Sequence, residues 1–238
     1  MQGSKLSLST WFKAAFLMAS HSNGISALQL KSLLGLGSYR SAWILAMKLR
    51  RAIVDPERRP LCGLVEVDDT SLPYRSKVDP PAGGQGRSQE GKLLLAGAVE
   101  VVGRGPARVR LKAIDDYSAT TLHAFLREAV ALASAAKTDG WSGYPGAPGI
   151  RHEPHVVRPM AAHMIFPWIH RVFANLKRWA LGVYHGLTRK HLQAYLDECV
   201  FRFNRRKARM VVFHSLLTVG SRARGVTYNM LIGQETRA

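Results

Sequence analysis

Residues 64–69 read LVEVDD, and the period of this stretch decides the architecture. Apolar and acidic positions alternate, so Leu64, Glu66 and Asp68 face one way and Val65, Val67 and Asp69 the other. That is the pattern of a strand and not of a helix. The strand closes on two acids. Asp68 shares its face with Glu66, while Asp69 points the other way and competes for any role an acid has there.

Upstream of the strand the chain reads as helices over residues 9–53. In STWFKAAFLMAS (9–20), Ser9 or Thr10 can cap a helix whose positions Phe12, Ala15, Phe16 and Ala19 form one apolar stripe. After the breaker SNG, Ser26 can cap ALQLKSLL. The turn GLGS then leads into YRSAWILAMKLRRAIV (39–54), where Trp43, Ile44, Met47 and Ala52 recur at roughly helical spacing. Two short helices joined by a glycine turn, the second basic, make a helix-turn-helix candidate; a plain helical hairpin fits the pattern equally. In the first case Tyr39 and Arg40 open the helix that meets DNA. DPERRPLCG (55–63) is a linker by composition.

Downstream, KVDPPAGGQGRSQEG (77–91) reads as a loop without a Walker or dinucleotide fingerprint. Strands resume at 92–102 and 107–114, and ATTLHAFLREAVAL (119–132) reads as a helix. ASAAKTD (133–139) leads into Asp139 as a strand, although its alanines suit a helix better. Residues 145–164 read as irregular, broken by four prolines. PWIHRVFANLKRWALGVYHG (167–186) and RKHLQAYLDECVFRFNRR (189–206) are helical, and no internal repeat is visible.

Thirty-four Lys and Arg against sixteen Asp and Glu give a net charge of +18. An excess of this size points to a polyanionic partner, because each neutralised phosphate releases counterions. The two cysteines, Cys62 and Cys199, exclude a Cys-rich zinc site and a disulfide framework. His152, His155 and His163 lie among prolines without cysteines nearby, which counts against zinc. No apolar run is long enough to span a bilayer and the first ten residues lack a signal-peptide core, so a soluble, cytoplasmic protein is expected.

Three strands, a helix, a fourth strand ending in an acid, then further helices is the element order of an α/β, ribonuclease H-like fold. In it Asp68 and Asp139 would stand on neighbouring strands. Two adjacent carboxylates repel unless a cation lies between them, and hard divalent ions want such oxygen ligands. Residues 167–183 contain no acid to complete the set. His170 stands near the start of that helix, with Lys177 two turns further along the same edge.

GLVEVDDT, KTDGWSGY, PWIHRVFANLKRWALGVYHG and RKHLQAYLDECVFRFNRR, in this order, resemble the bacterial insertion-sequence transposases of the DDE superfamily, in its ISXO-like branch. The similarity runs from about Lys5 to Ile232. It implies Asp68 and Asp139 as paired metal-binding acids, His170 at a third position that varies among Glu, Asn and His, and Lys177 as its accompanying lysine. The implied activity is metal-dependent cleavage at insertion-sequence ends, with Mg²⁺ or Mn²⁺, and joining of the 3′ hydroxyls to target DNA. The implied partners are transposon-end and target DNA and further copies of the chain, in the bacterial nucleoid. Lys177, Arg178 and Arg171 would meet phosphates, with Arg205 and Arg206 extending the track; for Arg171 a solvated face fits as well. The expected spans are a DNA-binding region at 1–54, a catalytic domain at 63–218 and a tail at 219–238.

The chain departs from the family pattern twice. Relatives usually begin with a Cys-rich zinc ribbon, absent here, as in a shortened copy, an alternative start or a partial frame. The family commonly reads VDET where this chain has VDDTSLPYRSK. The alternative is a decayed or repurposed transposase that binds DNA and cuts nothing. A general RNA-binding protein has no RRM or KH signature in its favour.

Overall fold

Alternation along β1 (Leu64–Pro73) divides the sheet into two faces. The computed structural model describes residues 4–74, 88–139, 141–147, 149–155, 165–184, 187–223 and 225–233. β1 is followed by β2 (Lys92–Val102), β3 (Gly105–Ile114), α4 (Ala119–Ala129), β4 (Ala135–Asp139) and β5 (Arg151–His155). The sheet order is β3-β2-β1-β4-β5, with β2 antiparallel to both neighbours and β4 and β5 parallel to β1. On one face Val65 and Val67 join Leu122, Phe125, Leu126 and Ala129 of α4 in the core. α5 (Pro167–Tyr184) meets the other face, where Ile169 and Phe173 crowd Gly97 of β2. The α/β, ribonuclease H-like expectation is borne out by this order and these strand directions.

The chain forms two compact units. One comprises Arg59–Leu181 and His185–Leu196; the other comprises Met1–Arg58, Gly182–Tyr184 and Asp197–Ala238. The second of these is helical, with α1 (Leu8–Ser20), α2 (Ala27–Leu33), α3 (Tyr39–Ala52), most of α6 (Leu192–Asn204), α7 (Val212–Arg222) and α8 (Tyr228–Ile232). Its core joins Trp11, Ala15 and Met18 to Leu30, Leu45, Leu49, Phe201 and Leu216. Ser26 caps α2 as expected, in a reciprocal capping box with Gln29. Gly35 turns the chain at φ 61°, a conformation that costs glycine nothing.

Several local expectations are corrected. Ser7, and not Ser9 or Thr10, caps α1. Its buried stripe is Trp11, Ala14, Ala15 and Met18, while Phe12 and Phe16 are exposed. Trp11, the bulkiest residue of the helix, takes the core and donates its indole N–H to Ser4 Oγ at 3.1 Å, which rotates the stripe by one position. In α3 the core takes Ala42, Leu45, Ala46 and Leu49 beside Met47, and leaves Trp43, Ile44 and Ala52 half-buried. Of residues 133–139, Ala135–Asp139 resolve in favour of strand, with Ala136 and Thr138 fully covered between β1 and β5.

The irregular stretch also contains a strand, β5, which pairs along all of β4. Pro154 fits there because β5 is an edge strand, where a missing N–H can face outward. Residues 156–164, with His163, and residues 75–87 of the long loop lie outside the described residues. Among the described residues no helix is long and apolar enough to cross a membrane.

Candidate active site

The parallel pairing of β1 with β4 runs Leu64↔Ala135, Val65↔Ala136, Glu66↔Lys137. Asp68 and Asp139 lie two residues beyond the last of these pairs on the two strands, so they stand in step on adjacent strands. Alternation gives both the face of Glu66. Asp68 is opposite Gly97 on β2, and its side chain is 14% exposed. Its Oδ1 accepts the Asp69 N–H at 2.8 Å. Asp139 Oδ1 accepts the Trp141 N–H at 3.3 Å.

His170 lies in the first turn of α5, and its Nε2 stands 3.8 Å from Asp68 Oδ2. That is too long for a hydrogen bond. Two donors sharing an ion at about 2.1 Å each span roughly 3.0 Å side by side and 4.2 Å across it, and 3.8 Å falls within that range. Carboxylate and imidazole together are a donor set that suits Mn²⁺ at least as well as Mg²⁺. The pair therefore fits two ligands of a divalent ion. Asp139 is not gathered with them: among the described residues no group of three His, Cys, Asp or Glu is close enough to hold a metal. Lys177 is half-buried seven residues after His170, on the same helix edge. Arg178 is exposed, and the exposed Arg171 lies over the Trp168 ring at 4.8 Å.

Asp69 resolves to the other side of β1. Its Oδ1 accepts the phenol O–H of Tyr144 at 3.1 Å, and Tyr144 is buried in the α4-side core. Burial drives the Tyr144 phenol well above its ordinary value, and the charges of Asp69, Asp68 and Asp139 add to the rise. All three carboxylates thus act on one phenol. KTDGWSGY does more than supply an acid: Trp141 bonds Asp139 through its backbone and donates its indole N–H to the Tyr117 carbonyl at 3.2 Å. A β-carbon on Gly143 would stand 2.8 Å from Leu122 Cδ1 and 2.9 Å from Trp141 Nε1, so only glycine fits that turn without displacement.

Glu66 is the residue that sequence reasoning passed over. It is 5% exposed, and its Oε2 accepts the N–H groups of Trp168 and Ile169, each at 2.9 Å. Burial raises its carboxyl above the ordinary value, while those two amides and the charge of Lys137 pull it back. The signal was present in two places: Glu66 shares a face with Asp68, and the 167–184 helix opens on Phe-Pro with no capping side chain of its own.

The other candidate residues lie in the helical unit. Tyr39 and Arg40 open α3; Tyr39 is exposed and Arg40 lies over the Tyr228 ring at 4.6 Å. Arg205 and Arg206 stack on Phe201 and Phe203 at 4.0 and 3.9 Å. Burial lowers the pKa of both guanidiniums.

A five-stranded sheet in which only β2 runs against the rest, with acids in step on β1 and β4, defines a ribonuclease H-like domain. The family model for the ISXO2-like transposase domain matches residues 60–204, and the chain belongs to that family. The resemblance to insertion-sequence transposases is borne out over that span. Comparison with curated proteins gives no match. Eleven solved chains are similar. One belongs to the cryo-EM structure of the simian T-cell lymphotropic virus intasome in complex with PP2A regulatory subunit B56 gamma. It is 13% identical with a TM-score of 0.42, and the match covers 79% of this chain and 74% of that one.

Proposed function

We propose that this protein cleaves DNA at the ends of an insertion sequence and joins the freed 3′ hydroxyls to target DNA. The observation that carries the reading is the approach of His170 to Asp68 at 3.8 Å, from a helix and a strand about a hundred residues apart, with Asp139 in step on the neighbouring strand. Asp68, His170 and Asp139 are the residues that would hold Mg²⁺ or Mn²⁺. Such an ion, when bound, supplies positive charge that favours attack at phosphorus and departure of the leaving oxygen.

The residues of the chain do the positioning. Asp68, Asp139 and His170 set the place of the scissile phosphate on the α5 face of the sheet. Lys177, two turns along α5, meets the phosphate charge next to it, with Arg178 and Arg171 on the flanking backbone. In the first reaction the oxygen of water attacks phosphorus and the 3′ oxygen of the transposon end leaves with a proton. In the second that 3′ hydroxyl attacks a target phosphate and gives up its proton, and the target's own 3′ oxygen leaves with a proton. Neither step needs a covalent link to the protein.

Residues 1–54 read the end sequence, with Tyr39 and Arg40 at the start of α3 reaching base edges. Residues 63–218 carry the chemistry, and Arg205 and Arg206 extend the phosphate contacts. The protein works in the bacterial cytoplasm on nucleoid DNA, as several copies assembled on the ends.

The test is cleavage of a labelled end duplex by the parent, Asp68→Asn and Asp139→Asn with each metal. The reading expects product from the parent and none from either variant. A parent that binds the duplex with strong salt dependence and leaves it intact would favour a DNA-binding protein descended from a transposase.

A further inference from the structure

We propose that Glu66 is a positioning residue of the cleavage site: its carboxylate, reaching across from β1, holds the first turn of α5 and so sets His170 opposite Asp68. The inference rests on the reading of Asp68 and His170 as parts of that site.

A helix leaves its first N–H groups without partners, and a capping side chain ordinarily takes those of its second and third residues. α5 starts at Pro167, whose nitrogen carries no hydrogen. Phe166 occupies the cap position, since its carbonyl accepts the His170 N–H at 3.4 Å. Its side chain has no oxygen to offer, and the first turn of the helix contains no acid. The second and third residues are Trp168 and Ile169, and the amides of both go to Glu66 Oε2 at 2.9 Å. Glu66 does from the strand what the helix cannot do for itself. A negative group at this end also complements the helix dipole.

The consequence for His170 follows from its place. It is one residue beyond Ile169, in the turn that Glu66 anchors. The helix body has a separate seat: Ile169, Val172, Phe173 and Leu176 are buried, with Phe173 against Gly97. Removing the anchor therefore loosens the first turn while the body stays on the sheet. β1 thus carries two carboxylates on one face with divided tasks. Asp68 belongs to the chemistry, and Glu66 holds the element that delivers its partner.

The experiment compares Glu66→Ala and Glu66→Gln with the parent in the full chain, by amide hydrogen exchange and by strand-transfer kinetics on a precut end. In Glu66→Ala the amides of Trp168 and Ile169 should lose about 10-fold or more in protection, while those of Phe173 to Ala180 keep theirs. kcat should fall about 100-fold, the cost of misplacing a reacting group by roughly 1 Å, with KM for DNA within about two-fold. Glu66→Gln keeps one acceptor oxygen and should recover much of that loss. The double variant Glu66→Ala/His170→Ala should be no slower than His170→Ala alone, because Glu66 acts through His170.

Undisturbed protection at Trp168 and Ile169 in Glu66→Ala would overturn the proposal, as would full kcat in that variant while Asp68→Asn and Asp139→Asn are inactive. Additive losses in the double variant would show a general effect on the fold and overturn it too. Acid variants as active as the parent would instead sink the reading of the site, and the proposal with it.

Discussion

Gly97→Ala is the substitution through which the fold can be made to act on the site. Gly97 is the β2 partner of Asp68, and α5 crosses it. A β-carbon there would stand 2.6 Å from Phe173 Cε1, 2.8 Å from Phe173 Cζ and 2.9 Å from Ile169 Cδ1. Carbon atoms settle at about 3.5–4.0 Å, so the helix would have to retreat by roughly 1 Å. Overpacking of this kind costs about 1–3 kcal/mol. At about 2–4 °C per kcal/mol for a chain of this size, the melting temperature should fall by about 2–12 °C. The same retreat carries His170 away from Asp68, and kcat for strand transfer should drop by about 100-fold. Thermal melting and single-turnover strand transfer measure the two effects. Phe173→Leu, which removes both clashing ring atoms, should restore part of each in the Gly97→Ala background. An alanine variant with the melting temperature and kcat of the parent would show that Gly97 does not hold α5 at that distance.

Other perturbations probe the rest of the molecule. Two bonds from Arg108, at 2.7 and 2.8 Å, hold the Glu100 carboxyl at about 2, against an ordinary value of 4.5. A depressed acid contributes stability that is present above pH 4.5 and lost as pH falls toward 2. After discounting for the partial exposure of Arg108, that contribution is about 2–3 kcal/mol. Urea melts of Glu100→Gln should therefore show a flatter acid limb than the parent, and identical limbs would refute the assignment. Arg50 and Glu198, both fully buried, pair at 2.7 Å. Arg50→Ala should cost about 3 kcal/mol by urea melting, the low end for a broken buried pair, since Arg202 still stands 3.9 Å from Glu198. A loss below about 1 kcal/mol would show the pair to be immaterial. Arg40→Ala should weaken discrimination between end and random duplexes by about 1–3 kcal/mol if Arg40 reads a base edge. Equal weakening on both, with a salt slope lower by about one, would make it a phosphate contact.

Strands β1 to β3 and the facing of the two β1 acids were legible because they depend on short-range pattern. Period-two alternation in LVEVDD puts Asp68 on one face and Asp69 on the other, and the structure gives them the separate partners this implies, His170 and Tyr144. The capping box of Ser26 and Gln29 spans three residues and could be read directly. What escaped depends on distant contacts or on competition between similar patterns. β5 exists because it pairs with β4, and its proline disguises an edge strand as a loop. The α1 stripe is shifted because Trp11 outcompetes Phe12 and Phe16 for the core, and nothing in an apolar helix says which aromatic wins. Glu66 holds amides 102 and 103 residues away, a relation that only the folded chain expresses. The approach of His170 to Asp68 is of the same kind.

On the proposed reading Asp68, Asp139 and His170 would together hold one divalent ion where DNA is cut. The most direct measurement is a crystal structure of the protein on a cleaved end duplex with Mn²⁺, using the anomalous signal of the metal. The expected result is a peak bounded by Asp68, His170 and Asp139, beside the terminal 3′ hydroxyl and lost in Asp139→Asn. Mn²⁺ bound elsewhere, or at Asp68 and Asp139 with His170 turned away, would contradict it.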